Sequence, residues 1–182
     1  DAPKRCEVTP SFRTGNVDRM NPEISEFSYG FALTAELIAT CDLKAGGAPE
    51  YETQYAEGQT GGGWDVKLPA VPIFLQFKRS YRMVRRYAQE AHLYSGLPFF
   101  RMHLHRRDQS NQHQLLLNLE DVGHLVIYAA RGFSLSSELS DAYSTDEVTS
   151  LSLFLRGSEI QPLPDDKQHW VAFQMSPERT YF

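Results

Sequence analysis

The stretch Gly62-Gly63-Trp64-Asp65-Val66-Lys67-Leu68, followed by Pro69-Ala70-Val71-Pro72 and then Ile73-Phe74-Leu75-Gln76-Phe77-Lys78, decides how this chain is read. Trp64 to Leu68 alternates apolar and polar residues with period two, as a strand with one face in a core does. Ile73 to Lys78 is a second strand-sized run, and the segment Pro69 to Pro72 between them makes a tight connection. Two strands this close predict a hairpin. Gln76 and Lys78, two residues apart, then share one face, while Phe77 points the other way into the core. Asp65 stands on the neighbouring strand.

Upstream, a helix is expected from about Pro22 to Thr40. Proline suits a first helical turn, and Phe27, Phe31, Leu33, Leu37 and Ile38 recur at three- and four-residue spacing. Gly30 is the one glycine inside that helix, and a short strand around Tyr51 to Tyr55 is expected in the Gly-, Glu- and Gln-rich segment that follows. The first twenty or so residues are polar and expected to be loosely held. Downstream, Met83, Tyr87, Ala91 and Tyr94 form a stripe that predicts a helix over Tyr81–Tyr94, stopped by Gly96 and Pro98. A strand over Phe99–His105, a helix over Gln112–Glu120 and a strand over His124–Ala130 come next. A short helix around Leu139–Tyr143 and strands over Ser150–Leu155 and His169–Gln174 complete the chain, the last two joined by the turn-rich Pro162–Asp166. With no repeat and no linker, this order predicts one α/β domain over residues 1–182, a central mixed sheet flanked by helices.

Composition fits such a domain. The chain has 182 residues, 41% of them hydrophobic and 23% charged, enough for a core inside a soluble surface. No apolar run approaches the roughly 18 to 20 residues of a membrane span. Asp1-Ala2-Pro3-Lys4-Arg5 leads into polar sequence instead of an apolar signal core, so export is not expected. Cys6 and Cys41 lack CxxC spacing, which reads as reduced thiols in a cytoplasmic protein. No GxGxxG follows a strand and no Walker lysine motif occurs, which removes a phosphate-cradling loop. The serine-rich Ser134–Ser140 lacks a G-x-S-x-G elbow, which argues against serine hydrolysis.

The net charge of −5 hides an uneven distribution. Lys78, Arg79, Arg82, Arg85, Arg86, Arg101, Arg106 and Arg107 are opposed within their stretch only by Glu90, giving 8 − 1 = +7, so the remainder carries −12. One basic face on an acidic body is expected, with the arginines after the Gln76-Phe77-Lys78 strand able to meet phosphate in a salt-dependent way.

Hydrolysis of a phosphodiester by a divalent metal needs clustered oxygen ligands and a cation near the attacking water. Asp65, ten intervening residues, then Gln76-Phe77-Lys78 resembles the motif of the PD-(D/E)xK, or restriction-endonuclease-like, nuclease superfamily. The glycine-rich approach and the Q-x-K form are most similar to its Mrr-like and RecB-like branches. The resemblance covers about residues 22–130 and implies a restriction-endonuclease-like core, with residues 131–182 as a C-terminal β extension. It implies Asp65, Gln76, Lys78 and Glu26 as the catalytic set. Asp65, Glu26 and the Phe77 carbonyl would hold Mg²⁺ or Mn²⁺, and Glu36 is the fallback for Glu26. Gln76 would orient the metal or its water, and Lys78 would position the nucleophile or neutralise the phosphate. Arg79, Arg82, Arg85 and Arg86 would contact nucleic acid, DNA before RNA, in restriction, repair or defence against foreign DNA. A homodimer or a place in a larger complex fits the same family.

Gln76 departs from the acidic residue most members carry, so the site has one negative charge fewer. That leaves a second expectation open: a non-cleaving module that binds nucleic acid or a partner protein through its basic face. A structural subunit of a larger assembly is a third. His103 and His105, on one strand face, read first as partly exposed strand residues and second as a two-nitrogen metal site.

Overall fold

The computed structural model describes residues 8–10, 19–41, 47–51, 62–69, 71, 73–86, 90–94 and 96–175. In chain order its elements begin with β1 (Val8–Pro10), β2 (Arg19–Met20), α1 (Glu26–Thr40), β3 (Glu50–Tyr51) and β4 (Val66–Leu68). Next come β5 (Ile73–Lys78), β6 (Ser80–Met83), a 3₁₀ turn at Ala91–Leu93, β7 (Phe99–Leu104) and α2 (Gln112–Asp121). The last are β8 (Leu125–Arg131), α3 (Ser136–Ser144), β9 (Ser152–Arg156), α4 (Gly157–Ile160) and β10 (His169–Phe173).

The protein is α/β, with a mixed sheet in the order β3-β4-β5-β8-β9. The expected hairpin forms its centre, with β4 antiparallel to β5 and Val66 opposite Leu75. β8 lies parallel to β5, Ile73 opposite Leu125 through Lys78 opposite Ala130, after the chain has crossed over through α2. β3 and β9 close the two sides in antiparallel fashion. On one face α1 buries Tyr29, Ala32 and Leu33 against Val66, Leu75, Phe77 and Ala129. On the other, Leu116 of α2 joins Phe74, Val126, Tyr128 and Ala130.

That second core is shared with a sheet the sequence did not suggest. β1, β10, β7, β6 and β2 form an antiparallel sheet in that order, and Phe100, Met102, Leu104, Val171 and Phe173 from it pack against the mixed sheet's side chains. Residues beyond 131 therefore make no single extension. β9 joins the mixed sheet, while β10 lies between β1 and β7.

Two elements depart from the periodicity. The helix expected over Tyr81–Tyr94 is instead strand β6 and, further on, the 3₁₀ turn; Tyr87 to Gln89 lie outside the described residues. β6 pairs with β7 from Ser80 opposite Met102 to Met83 opposite Phe99, and this ladder overrides the local stripe. α1 starts at Glu26, not Pro22, because Ser25 caps it: its hydroxyl accepts the Ser28 N–H at 2.9 Å. Its buried face carries Tyr29, Ala32, Leu33 and Glu36, and Phe27 and Phe31 are exposed. Of the strand expected over Tyr51–Tyr55, Tyr51 lies in β3 and the rest lies outside the described residues. Among the described residues no helix is long and apolar enough to cross a membrane.

Candidate functional site

The site begins where β4 leaves its ladder. The Asp65 N–H donates to the Leu75 carbonyl at 2.9 Å, and past that point no β4 backbone covers the edge of β5. Leu75, Phe77 and Arg79, at alternate positions, turn their backbone groups to this edge. The Phe77 N–H donates to Asp65 Oδ2 at 2.6 Å, and the Arg79 N–H donates to Glu26 Oε1 at 2.7 Å. Two residues of strand separate those N–H groups by roughly 6.6 Å. The Phe77 carbonyl leaves on the same edge between them. Asp65, Glu26 and the Phe77 carbonyl, expected together from the sequence, are thus aligned along one strand edge.

Glu26 is brought there by the start of α1, which is fastened from below. Arg131, fully buried, donates to the Ile24 carbonyl at 2.7 Å and the Ser25 carbonyl at 3.2 Å. Burial lowers its pKa to about 10, so it keeps its charge at neutral pH.

Gln76 and Lys78, only 3% and 5% exposed, extend the site inward. Gln76 Nε2 donates to Asp65 Oδ2 at 2.6 Å and to the Phe77 carbonyl at 3.0 Å. Gln76 Oε1 accepts from Gln112 Nε2 at 3.0 Å, and Gln112 Oε1 accepts from Lys78 Nζ at 2.5 Å. A continuous line of hydrogen bonds therefore runs Lys78, Gln112, Gln76, Asp65. Lys78 Nζ also lies 5.9 Å from the centre of the Tyr128 ring. Burial, and secondarily the charge of Asp65, raises the pKa of the Tyr128 hydroxyl, which is neutral throughout the physiological range. That hydroxyl meets His113 Nδ1 at 3.0 Å, while His113 Nε2 meets the Gln161 carbonyl at 2.8 Å. A carbonyl only accepts, so Nε2 carries the imidazole proton and Nδ1 accepts from Tyr128.

Gln112 was not among the residues singled out from the sequence. It is the first residue of α2, where a glutamine reads as surface, but it stands four before the buried Leu116, on the helix's apolar side. A polar residue on that stripe was the available signal. Gly63, at φ +105°, brings the chain past the start of this helix: a Cβ there would lie 3.1 Å from the Gln112 carbonyl.

The other expected residues lie elsewhere. Glu36 is at the far end of α1, 5% exposed, its two oxygens accepting the Val148 and Thr149 N–H groups at 2.8 and 3.0 Å. Arg79, Arg85 and Arg86 are exposed, and Arg82, on β6 rather than a helix, pairs with Glu138 at 2.9 Å. Arg101 pairs with Glu90, Arg106 with Asp108 and Arg107 with Asp166, so much of the basic run is neutralised locally. His103 and His105 are ring neighbours at 5.3 Å, and His103 also lies 5.0 Å from the Trp170 ring. Burial, with the nearby charges of His105, Lys78 and Arg79, lowers the His103 pKa to about 4.

Among the described residues no group of three or more His, Cys, Asp or Glu side chains is placed to hold a metal ion. The β5 edge offers two carboxylates and a carbonyl. This hard-oxygen set suits Mg²⁺, which commonly takes one or two carboxylates and keeps several waters. The amide nitrogen of Gln76 contacts two of those oxygens. No protein-family model matches the chain, and neither a curated protein nor a solved structure does.

Proposed function

We propose that the chain is a Mg²⁺- or Mn²⁺-dependent nuclease of the PD-(D/E)xK kind, hydrolysing phosphodiester bonds in DNA. The observation that carries the reading is the joining of Asp65, Gln76 and Lys78 by one line of hydrogen bonds beside Glu26, at the edge of the β4–β5 hairpin. The order of elements around it supports the same reading. A helix leads into three antiparallel strands, and after β6 and β7 a second helix returns the chain to a parallel strand. In this reading Asp65, Glu26 and the Phe77 carbonyl would hold the metal, which when bound would activate a water and neutralise phosphate charge. Lys78 stabilises the charge that develops on the phosphate. Exposed Arg79, Arg85 and Arg86 meet the backbone of the nucleic acid.

Purified protein with Mg²⁺ or Mn²⁺ is expected to nick plasmid or degrade oligonucleotide DNA. Asp65→Ala and Lys78→Met, folded by circular dichroism, are expected to abolish cleavage. Equal cleavage by all three proteins, or none by the wild type on any nucleic acid, sinks the reading. One observation favours a second reading. The Gln76 amide already satisfies the Asp65 carboxylate and the Phe77 carbonyl, as a module that binds nucleic acid without cleaving it would require. DNA binding that survives EDTA and Asp65→Ala, with a steep salt slope, selects that alternative.

A further inference from the structure

The line of hydrogen bonds has a direction set by its two ends. An ammonium can only donate and a carboxylate can only accept. Lys78 therefore obliges Gln112 to present Oε1, which turns Gln112 Nε2 toward Gln76; Gln76 must answer with Oε1, which turns its own Nε2 onto Asp65 and the Phe77 carbonyl. Each amide is buried or half-buried, so neither reverses alone without setting donor against donor or oxygen against oxygen.

We propose that Gln112 is a positioning residue that makes cation binding at Asp65 and the Lys78–Gln112 hydrogen bond mutually exclusive. This rests on the metal-dependent reading above. For a cation to reach both Asp65 and the Phe77 carbonyl, Gln76 turns its amide by half a rotation, adding Oε1 to the oxygen set and sending Nε2 toward Gln112. Gln112 must then reverse as well. Its Nε2 faces the Lys78 ammonium, donor against donor, and the Lys78–Gln112 bond breaks. The Lys78–Gln112 bond is thereby kept only while the cation end of the line is empty. No proton leaves any group in this rearrangement, and the only bonds exchanged are hydrogen bonds.

The test is Mg²⁺ binding by calorimetry together with the side-chain amide resonances of glutamines 76 and 112, in the wild type, Gln112→Met and Gln112→Asn. Both substitutions keep every charge, and either serves if the other unfolds. Without the Lys78–Gln112 bond to break, Mg²⁺ is expected to bind roughly tenfold tighter to each variant, the equivalent of one hydrogen bond to a charged group. In the wild type, Mg²⁺ is expected to shift the amide resonances of both glutamines together. A purely structural Gln112 would lower stability without tightening Mg²⁺. Affinity that is unchanged or weaker in both variants, while Asp65→Asn still abolishes binding, overturns the coupling and leaves the metal reading standing. Absence of any Asp65-dependent Mg²⁺ or Mn²⁺ binding overturns both.

Discussion

Gly30 lies in the middle of α1, where alanine would ordinarily stabilise a helix by about 1 kcal/mol. In this protein Gly30→Ala is expected to do the opposite. A Cβ on Gly30 would lie 2.5 Å from both Cδ2 and Cε2 of Phe77 and 3.1 Å from Cζ. Carbon atoms rest at about 3.5–4.0 Å, so the ring would have to recede by roughly 1 Å. Phe77 has little room to do so: it is 3% exposed and meets Tyr29 edge-on at 5.9 Å. Overpacking of this kind costs about 1–3 kcal/mol, which leaves a net loss of up to about 2 kcal/mol against the gain in propensity. At about 2–4 °C per kcal/mol for a chain of this size, Tm should fall by up to about 8 °C in calorimetry. The displaced residue also holds Asp65 through its N–H, so its amide resonance should move. Phe77→Leu should be less harmful in the Gly30→Ala background than alone, since a smaller side chain relieves the contact. A Tm that rises in Gly30→Ala, or costs that simply add, would refute the argument that α1 seats on β5 through this glycine.

Glu36→Gln is expected to cost about 2 kcal/mol in urea melts, because one of two N–H groups then faces an amide NH₂. DNA cleavage should be unaffected, and a loss of cleavage in folded protein would move the auxiliary carboxylate from Glu26 to Glu36. His103 binds its proton less readily folded than unfolded, with its pKa lowered from 6.5 to about 4. Its contribution is therefore present above about pH 6.5 and lost as pH falls toward 4. His103→Gln should flatten that part of the profile, and a stability difference between the two proteins that stays constant across the window would contradict the shift.

The hairpin was legible because its information is local. Alternation over Trp64–Leu68, the strand-sized run Ile73–Lys78 and the prolines between them all point one way, and β4 and β5 formed as expected. Asp65, Gln76 and Lys78 came together for the same reason, since a hairpin fixes which side chains are neighbours. Glu26 reached the same strand edge through an interaction 53 residues apart in sequence, with Arg79. β6 was illegible because its stripe of Met83, Tyr87, Ala91 and Tyr94 also fits a helix, and only pairing with β7 decides otherwise. The antiparallel sheet was hidden for a related cause. It joins Val8–Pro10 to His169–Phe173, and no local pattern encodes a partner that distant. In α1 the apolar stripe was misjudged: Phe27 and Phe31, counted in it, are exposed, while Glu36 is buried where it caps the Val148 and Thr149 N–H groups.

The insertion of β10 between β1 and β7 has a consequence for the order in which the chain can be completed. During synthesis the N-terminal residues emerge first and fold as units when their partners are present. The residues that form the line from Asp65 to Gln112, the helix that carries Gln112 and the strand parallel to β5 are all made by Arg131. The antiparallel sheet, by contrast, lacks the strand that joins β1 to β7 until His169–Phe173 arrives. The residues of the candidate site are thus all present while the second sheet is still incomplete, with β7 exposed as an edge that β10 must close.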